Sequence, residues 1–261
     1  MTNAPVVFLT DFGDSHYAGQ MRGVVLGIAP GVPLYDLTHA ISPQNIVEAA
    51  HVLGESVAAF PAGTVFVCVV DPGVGTVRRG VAFRKDGRFF VGPDNGIFTL
   101  VAAGGVGEAA AIENAAFFRQ PVSPTFHGRD VFAAVAARIA AGTPLSELGP
   151  PAGALMALGL PTPAVKEGRI DGHGLYADRF GNLVTDVAAA LCAGGAWTVL
   201  YRGRRLRGVK RTYADAAPGT LVALAGSSGR VEIAIRDGSA AARFRIKNPS
   251  RERVRFLKKM K

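Results

Sequence analysis

The segment "TVFVCVVDPGVGT", residues 64–76, decides the fold class of the N-terminal part of this chain. Residues 65–70 are all apolar and rich in β-branched side chains, with no alternation of polar and apolar positions. That pattern is typical of a strand buried on both faces, which occurs mainly in parallel sheets covered by helices. Asp71 and a glycine-rich loop end the run. The segment therefore predicts an α/β domain built on a mostly parallel sheet.

The sequence on either side of this strand alternates strand and helix patterns as far as a segment rich in Pro and Gly near residue 150. We predict strands at 6–9, 32–36 and 64–71, a hairpin at 81–93 with an Asp-Gly turn, and helices at 18–28, 45–60, 96–103 and 129–142. Further on, short strands separated by Gly and Asp turns favour a smaller antiparallel β-barrel or sandwich. The pattern change predicts an α/β domain at 1–163 and a β-rich domain at 164–261.

Composition places the chain among globular proteins, with 49% hydrophobic and 19% charged residues in 261. No apolar stretch is long enough to span a membrane, and the first apolar run is too short for a signal peptide. Cys68 and Cys192 lie far apart in sequence, which favours two reduced, buried thiols over a disulfide or a metal pair. We therefore expect a cytoplasmic protein that does not bind membranes.

The net charge of +9 is concentrated at the C-terminal end, where residues 201–261 carry 17 Lys and Arg against 4 Asp and Glu. Such an imbalance can indicate nucleic-acid binding. Here the charges alternate with apolar residues, as in "RVRFLKK", which is the pattern of solvent-facing strand positions. We therefore favour a solvated strand face, and keep a basic nucleic-acid-binding module as an alternative.

Two carboxylates follow predicted strands, at the edge where open α/β sheets bind their ligands. Asp11 follows the first strand and Asp71 follows the buried one, each before a glycine-bearing loop. Either aspartate alone is typical of a turn or a helix cap, but two at one sheet edge favour a pocket. "DFG" at 11–13 is not the kinase motif, because ten preceding residues cannot hold the other kinase elements.

His127 directly precedes the predicted helix at 129–142, where the positive helix end disfavours protonation. A neutral histidine there is suited to act as a general base, although an isolated histidine is more often a cap or a core residue. In the C-terminal half, residues 178–182 combine an acid, an aromatic ring and an amide, and Tyr213 adds a second ring. Turn chemistry is one explanation of residues 178–182. An aromatic ring and an amide also suit a purine, so the alternative from the residues alone is a nucleotide-like pocket.

Six motifs in one order resemble the S-adenosylmethionine hydroxide adenosyltransferases, relatives of the fluorinases and chlorinases. They are "TDFG", "GTVFVCVVDPGVGTVRRG", "VGPDNG", "SPTFHGRDVFA", "DRFGNLVT" and "SSGRVEIA", within a resemblance covering about residues 6–256. The resemblance implies an α/β domain followed by a β domain, and a homotrimer whose sites lie between neighbouring subunits. The chain departs from the family pattern at Asp186 and Gly226, where the family commonly has Asn, and at Arg236-Asp237.

The resemblance also implies roles for individual residues. Asp11 would bind both ribose hydroxyls, and Asp71, Arg78 and His127 would position and activate water. The remaining substrate contacts would come from Phe126, Phe180 and Tyr213 around ribose and adenine, Asn182 at the adenine edge, and Asp178, Ser227, Ser228 and Glu232 at the methionine end.

The implied reaction is hydrolysis of S-adenosyl-L-methionine to adenosine and L-methionine by attack of water or hydroxide on ribose C5′. The substrate is the one small-molecule partner, and no metal or other cofactor is implied. We expect His127 to be held by Asp71, and leave open which of the two accepts the proton. The alternative within the family is a halide transferase, which the Asp71, Arg78 and His127 set disfavours, because halogenating relatives lack it.

Overall fold

A computed structural model describes residues 4–259 of the chain. They divide into two compact units, the first ending at Leu158 and the second beginning at Gly159. In the first unit the strands are β1 (Val6–Thr10), β2 (Leu34–Thr38), β3 (Val65–Val69), β4 (Gly80–Lys85), β5 (Arg88–Pro93) and β6 (Ala109–Ala111). The helices are α1 (Tyr17–Ile28), α2 (Ile46–Ser56) and α3 (Ala134–Ala140), which continues a π-helical segment, Gly128–Ala133.

The strands of the first unit form one mixed sheet in the order β2-β1-β3-β5-β4-β6. The pairings β2–β1, β1–β3 and β3–β5 are parallel, whereas the hairpin pair β5–β4 and the edge pair β4–β6 are antiparallel. All five residues of β1 and of β3 are buried. The predicted α/β class, the mostly parallel sheet and the Asp86-Gly87 hairpin are thus confirmed.

Helices cover both faces of this sheet because alternate residues of the buried strands point to opposite sides. On one face, Phe8 and Val67 share a buried cluster with Met21 of α1 and Val135 of α3. On the other face, Phe66 belongs to a cluster that includes residues of α2. Since both faces are apolar, polar side chains can reach the sheet only where the strands end.

One predicted helix is wrong. Residues 96–103 form consecutive turns, not a helix. Gly96 has φ of +95°, a left-handed value that a right-handed helix excludes. Asn95 accepts a hydrogen bond from Ile97 N at 3.2 Å, and its side-chain amide donates to Val70 O at 2.9 Å. This local bonding ties the turn to the end of β3 and replaces a helical start.

The second unit is an antiparallel barrel-like sheet, as expected. Its elements are β7 (Ala164–Lys166), β8 (Arg169–Ala177), β9 (Leu183–Ala188), β10 (Trp197–Tyr201), β11 (Arg204–Arg207), β12 (Leu221–Ala225), β13 (Arg230–Ile235), α4 (Ala240–Phe244) and β14 (Arg253–Lys258). The order is β11-β10-β14-β8-β9-β13-β12, with β7 beside β8. A bridge between Lys210 and Leu224 brings the two ends of this sheet together, so the barrel is nearly closed.

The basic residues of the second unit behave as their alternation predicts. Along β14, Arg253 and Arg255 are exposed while Val254 and Phe256 are buried. Arg255 Nε donates to Asp171 on the neighbouring strand β8 at 2.6 Å. Cys68 and Cys192 are both free and buried, which confirms the reading of two thiols and raises the pKa of each. Among residues 4–259, no helix combines the length and apolar character needed to cross a membrane.

Candidate functional site

The carboxyl ends of β1 and β3 open into a cleft of about 180 Å³ in the first unit. Because the two strands are parallel neighbours, Asp11 and Asp71 both reach this edge, as predicted. The lining residues that matter for the chemistry are Asp11, Phe12, Gln44, Asp71, Phe126 and His127. The cleft therefore brings together the carboxylates and the histidine that were expected from distant parts of the sequence.

Arg78 folds back over Asp71 because the intervening loop is short and rich in glycine. Its Nε lies 2.9 Å from Asp71 Oδ1 and 3.0 Å from Oδ2, and its Nη2 also contacts Oδ2. A side chain at Gly75 would bring its Cβ to 2.6 Å from Pro124 O, and φ there is +76°. Both side chains of the pair are largely buried, at 13% and 6% exposed. The conformation of the loop therefore holds this ion pair in place.

The same guanidinium also holds His127. Arg78 Nη2 lies 3.0 Å from His127 Nδ1. Arginine is always a donor, so Nδ1 accepts and the neutral ring carries its proton on Nε2. The guanidinium carbon of Arg78 lies 5.1 Å from the centre of the Phe132 ring, which supports it from below. Thus Arg78, and not Asp71 as the sequence suggested, is the residue hydrogen-bonded to His127.

The pKa of His127 lies below its ordinary value of 6.5. Burial of the ring is the largest cause, and the positive charge of Arg78 lowers it further. The carboxylates of Asp71 and Asp130 oppose the shift without reversing it. The neutral state expected from the sequence therefore holds, for a different main reason than the helix end.

Asp11 forms no ion pair within residues 4–259, unlike the Asp71 carboxylate that lines the same cleft. Its Oδ2 accepts a hydrogen bond from Gln44 N at 2.8 Å. By contrast, Asp71, Asp94 and Asp130 each contact at least one arginine. A carboxylate with no cationic partner keeps its acceptor capacity for a ligand.

Aromatic rings form the wall of the cleft next to Asp11. Phe126 packs edge-on against Phe12 and Tyr17, with ring centres 5.8 Å and 5.1 Å apart. The guanidinium carbon of Arg129 lies over the Phe126 ring, 5.0 Å from its centre. These contacts fix the orientation of Phe126 and give the cleft one apolar face.

The second unit contains its own connected set of the expected residues. Asn182 Nδ2 donates to Asp178 Oδ2 at 2.9 Å and to Tyr213 Oη at 3.1 Å. Tyr213 Oη in turn donates to Glu232 Oε2 at 2.9 Å. Both amide hydrogens of Asn182 are used in these contacts, so Oδ1 is left as its acceptor for a ligand.

Glu232 occupies the space beside Gly226. Its carboxyl oxygen would lie 1.9 Å from a Cβ built at Gly226, so any side chain there requires Glu232 to move. Position 226 is one where the family pattern commonly has Asn, and here Glu232 takes the space that a side chain would need. The pKa of Glu232 is raised, first by burial and then by the nearby charge of Asp178, while the Tyr213 hydroxyl opposes the shift.

Three expected residues do not join that hydrogen-bonded set. Phe180 is 78% exposed on the turn between β8 and β9. Ser227 is exposed, whereas the Ser228 hydroxyl oxygen is buried and has no hydrogen-bond partner within residues 4–259. The structure therefore assembles Asp178, Asn182, Tyr213 and Glu232, and leaves the remaining three as separate surface or turn positions.

Sequence reasoning did not single out His39, because an isolated histidine is more often a cap or a core residue. His39 lies just after β2, and its Nδ1 is 2.8 Å from Thr10 Oγ1, next to Asp11. The available signal was the parallel pairing of β1 with β2, because residues following adjacent parallel strands meet at one edge.

The chain is similar to known proteins over most of its length. Residues 6–149 match the family model described as the SAM hydroxide adenosyltransferase N-terminal domain, and residues 172–252 match the C-terminal one. A Thermus thermophilus protein named "(R)-S-adenosyl-L-methionine hydrolase" is 40% identical, over 93% of this chain and 96% of that protein. A Salinispora arenicola protein of the same name is 38% identical, over 92% and 94%.

One solved structure, from Thermotoga maritima, superposes with a TM-score of 0.88 at 34% identity, covering 97% of this chain and 99% of that one. It is titled an uncharacterized conserved protein. The similarity therefore extends over both units and is not confined to the motifs.

The contact between Arg78 and His127 sets the protonation of the ring. In imidazole NMR of labelled protein, we expect His127 to carry its proton on Nε2 and to titrate below 6.5. Arg78→Met removes a positive charge and the donor to Nδ1, so the pKa of His127 should rise. Arg22→Met, the same change at an arginine that contacts His39 instead, should leave His127 unchanged. An Nδ1–H tautomer or a titration at or above 6.5 would contradict the assignment.

Proposed function

The chain belongs to the S-adenosylmethionine hydroxide adenosyltransferase family, and on that basis we propose that it hydrolyses S-adenosyl-L-methionine to adenosine and L-methionine. The observation that carries the proposal is that Asp11, Asp71 and His127 line one cleft and that Arg78 bridges Asp71 and His127. The names of the similar proteins support the same substrate and reaction.

The methionine leaving group needs no activation by the protein. An oxygen of water or hydroxide attacks ribose C5′ in line, the C5′–S bond breaks, and sulfur keeps the electron pair as neutral methionine departs. Because a sulfonium leaves without protonation, the reaction is written without a general acid, a metal or another cofactor. What the protein must supply is an oriented and sufficiently charged nucleophile.

Arg78 and His127 are suited to stabilise that nucleophile. The guanidinium supplies a fixed positive charge in a largely buried position. Since Nδ1 of His127 accepts from Arg78, its Nε2–H is the atom that can point a hydrogen bond at hydroxide. In this proposal His127 is a donor, and the carboxylate of Asp71 is the group that accepts the proton from water.

The substrate contacts extend the same proposal. Asp11 accepts hydrogen bonds from both ribose hydroxyls, which are charge-assisted and therefore strong, while Phe126 packs against the sugar. In the second unit Asn182 Oδ1 accepts from the adenine 6-amino group, since its own amide hydrogens are already used. Tyr213 and Phe180 frame the purine, and Asp178, Ser227, Ser228 and Glu232 contact the methionine end.

In this proposal the protein acts in the cytoplasm as a homotrimer. In that assembly, the first unit of one copy and the second unit of another complete each site. Each site needs ribose and water contacts from the first unit and purine and methionine contacts from the second. The family resemblance supports placing these two units in different copies.

The reaction itself is tested by product analysis in oxygen-18 water. We expect equal amounts of methionine and adenosine, with the label in the 5′-hydroxyl, and loss of turnover in Arg78→Met. Arg84→Met removes an exposed arginine on β4 outside the cleft and should retain turnover. A 5′-halo nucleoside formed with added halide would support the transferase. No turnover, with salt-sensitive DNA or RNA binding, would support the basic module.

The donor role of His127 separates two mechanisms. We expect His127→Ala to lower kcat by about 10²–10³, as for loss of one hydrogen-bond donor to a developing anion. His127→Gln should retain more of the wild-type kcat than His127→Ala, because the glutamine amide N–H₂ reaches the position of Nε2–H. KM should change little, since the contact matters in the transition state. If His127 were the general base, Gln would be as inactive as Ala, because an amide does not accept the proton.

The assembly is tested by mixing two inactive variants. Light scattering should give about three times the 27.1 kDa chain mass. Mixing His127→Ala with Tyr213→Ala should restore activity, because hybrid trimers contain sites with both residues intact. The control is a chain carrying both changes, which cannot restore activity when mixed with itself. A fully active monomer would refute the shared site.

A further inference from the structure

A second arginine, aspartate and histidine set lies at the same sheet edge as the cleft. Arg22 of α1 contacts both carboxyl oxygens of Asp36 on β2, with Nε 3.1 Å from Oδ1 and Nη2 on Oδ2. His39 Nε2 lies 3.0 Å from Asp36 Oδ1. Asp71 and His127 line the cleft, whereas Arg22, Asp36 and His39 do not.

The histidine of this set is bonded to the strand that carries Asp11. His39 Nδ1 lies 2.8 Å from Thr10 Oγ1, and Thr10 Oγ1 accepts a hydrogen bond from Phe12 N at 3.2 Å. Arg22 Nη2 also lies 3.2 Å from His39 Nε2, and because arginine only donates, Nε2 accepts this hydrogen bond. Nδ1 then carries a proton and donates to Thr10 Oγ1. The chain of bonds therefore runs from Arg22 to the backbone beside Asp11.

The main chain of His39 holds the other side of the same loop. Its carbonyl oxygen accepts from Gly13 N at 2.7 Å. Gly13 has φ of +59°, so the loop turns through a left-handed residue at that point. Residue 39 thus holds the chain on both sides of Asp11, through Thr10 and through Gly13.

We propose that Arg22, Asp36 and His39 are positioning residues that hold the Asp11 carboxylate where it binds the two ribose hydroxyls. The inference rests on the proposed function, because it takes the diol as the ligand of Asp11. None of the three is assigned a contact with substrate. They act through Thr10 and the loop backbone, and the buried Thr10 side chain is the link.

The physical reason is preorganisation. A carboxylate that accepts two hydroxyls must be held within about 0.5 Å of its working position by its supporting residues. Gln44 N is the one group within residues 4–259 that donates to Asp11 itself. The orientation of the loop must therefore come from the neighbouring backbone, which His39 holds on both sides.

The test compares two nucleosides that differ only in the diol. Full-length protein is titrated calorimetrically with adenosine and with 2′,3′-dideoxyadenosine. The readout is the Kd of the dideoxynucleoside divided by the Kd of adenosine, which measures the preference for the diol. We expect His39→Leu to weaken adenosine binding by about 10-fold or more, as for lost preorganisation of a hydrogen-bonding group. Binding of the dideoxynucleoside should stay within about 2-fold, because it makes no bond with Asp11.

Two further variants keep the test valid if His39→Leu is poorly folded. Thr10→Val is nearly isosteric and removes only the hydroxyl link, so it should reduce the same ratio. Thr10→Ser keeps the hydroxyl and should restore the wild-type ratio. A purely structural role would instead weaken both nucleosides equally in His39→Leu and Thr10→Val, and that result would overturn the inference.

Asp11→Ala distinguishes failure of the inference from failure of the proposed function. It should abolish the preference for the diol, and adding His39→Leu should cause no further loss, because the two residues act through one contact. If Asp11→Ala keeps the preference, the ribose assignment itself is wrong. If it loses the preference while His39→Leu and Thr10→Val keep it, Asp11 binds ribose and the positioning role alone is refuted.

Discussion

The parallel pairing of β1 with β2 and β3 is the constraint on which the first unit depends. Because β1 and β3 are buried on both faces, they cannot carry polar side chains along their length, so their chemistry is confined to the residues that follow them. Parallel strands place those residues at one edge. Asp11, Asp71 and His39 are therefore brought together by sheet topology, although they lie far apart in sequence.

Arginine is the residue that converts this edge into an ordered site. Arg78 is shared by a carboxylate and an imidazole, which a planar guanidinium with several donors can do and a lysine ammonium does less well. Because the guanidinium never acts as an acceptor, it also determines which ring nitrogen of His127 carries the proton. One side chain thus sets the charge, the tautomer and the geometry of the water-binding part of the site.

The two sets of arginine, aspartate and histidine have different surroundings and therefore different roles. The Asp71 and Arg78 side chains are mostly buried, whereas Arg22 and Asp36 are about one third exposed on the other side of the Asp11 loop. Asp11 lies between them without a cationic partner in the described chain. This arrangement leaves one unneutralised carboxylate in a cleft that otherwise contains a compensated ion pair.

The sequence by itself determined the strands, the hairpin and the positions of Asp11 and Asp71, because hydrophobic periodicity and turn residues are local properties. Its motifs also identified Arg78 and His127 as candidates. It did not show that Arg78 bridges Asp71 and His127, nor that His39 supports Asp11. Arg78 and His127 are 49 residues apart, and Thr10 and His39 are 29 apart, in contacts that exist only after the sheet has formed. The turns at 96–103, misread as a helix, have the same cause, since the Asn95 bond to Val70 requires β3 to be in place. Only the tertiary structure decides such contacts, because a side chain's hydrogen-bond partner depends on which strands are neighbours.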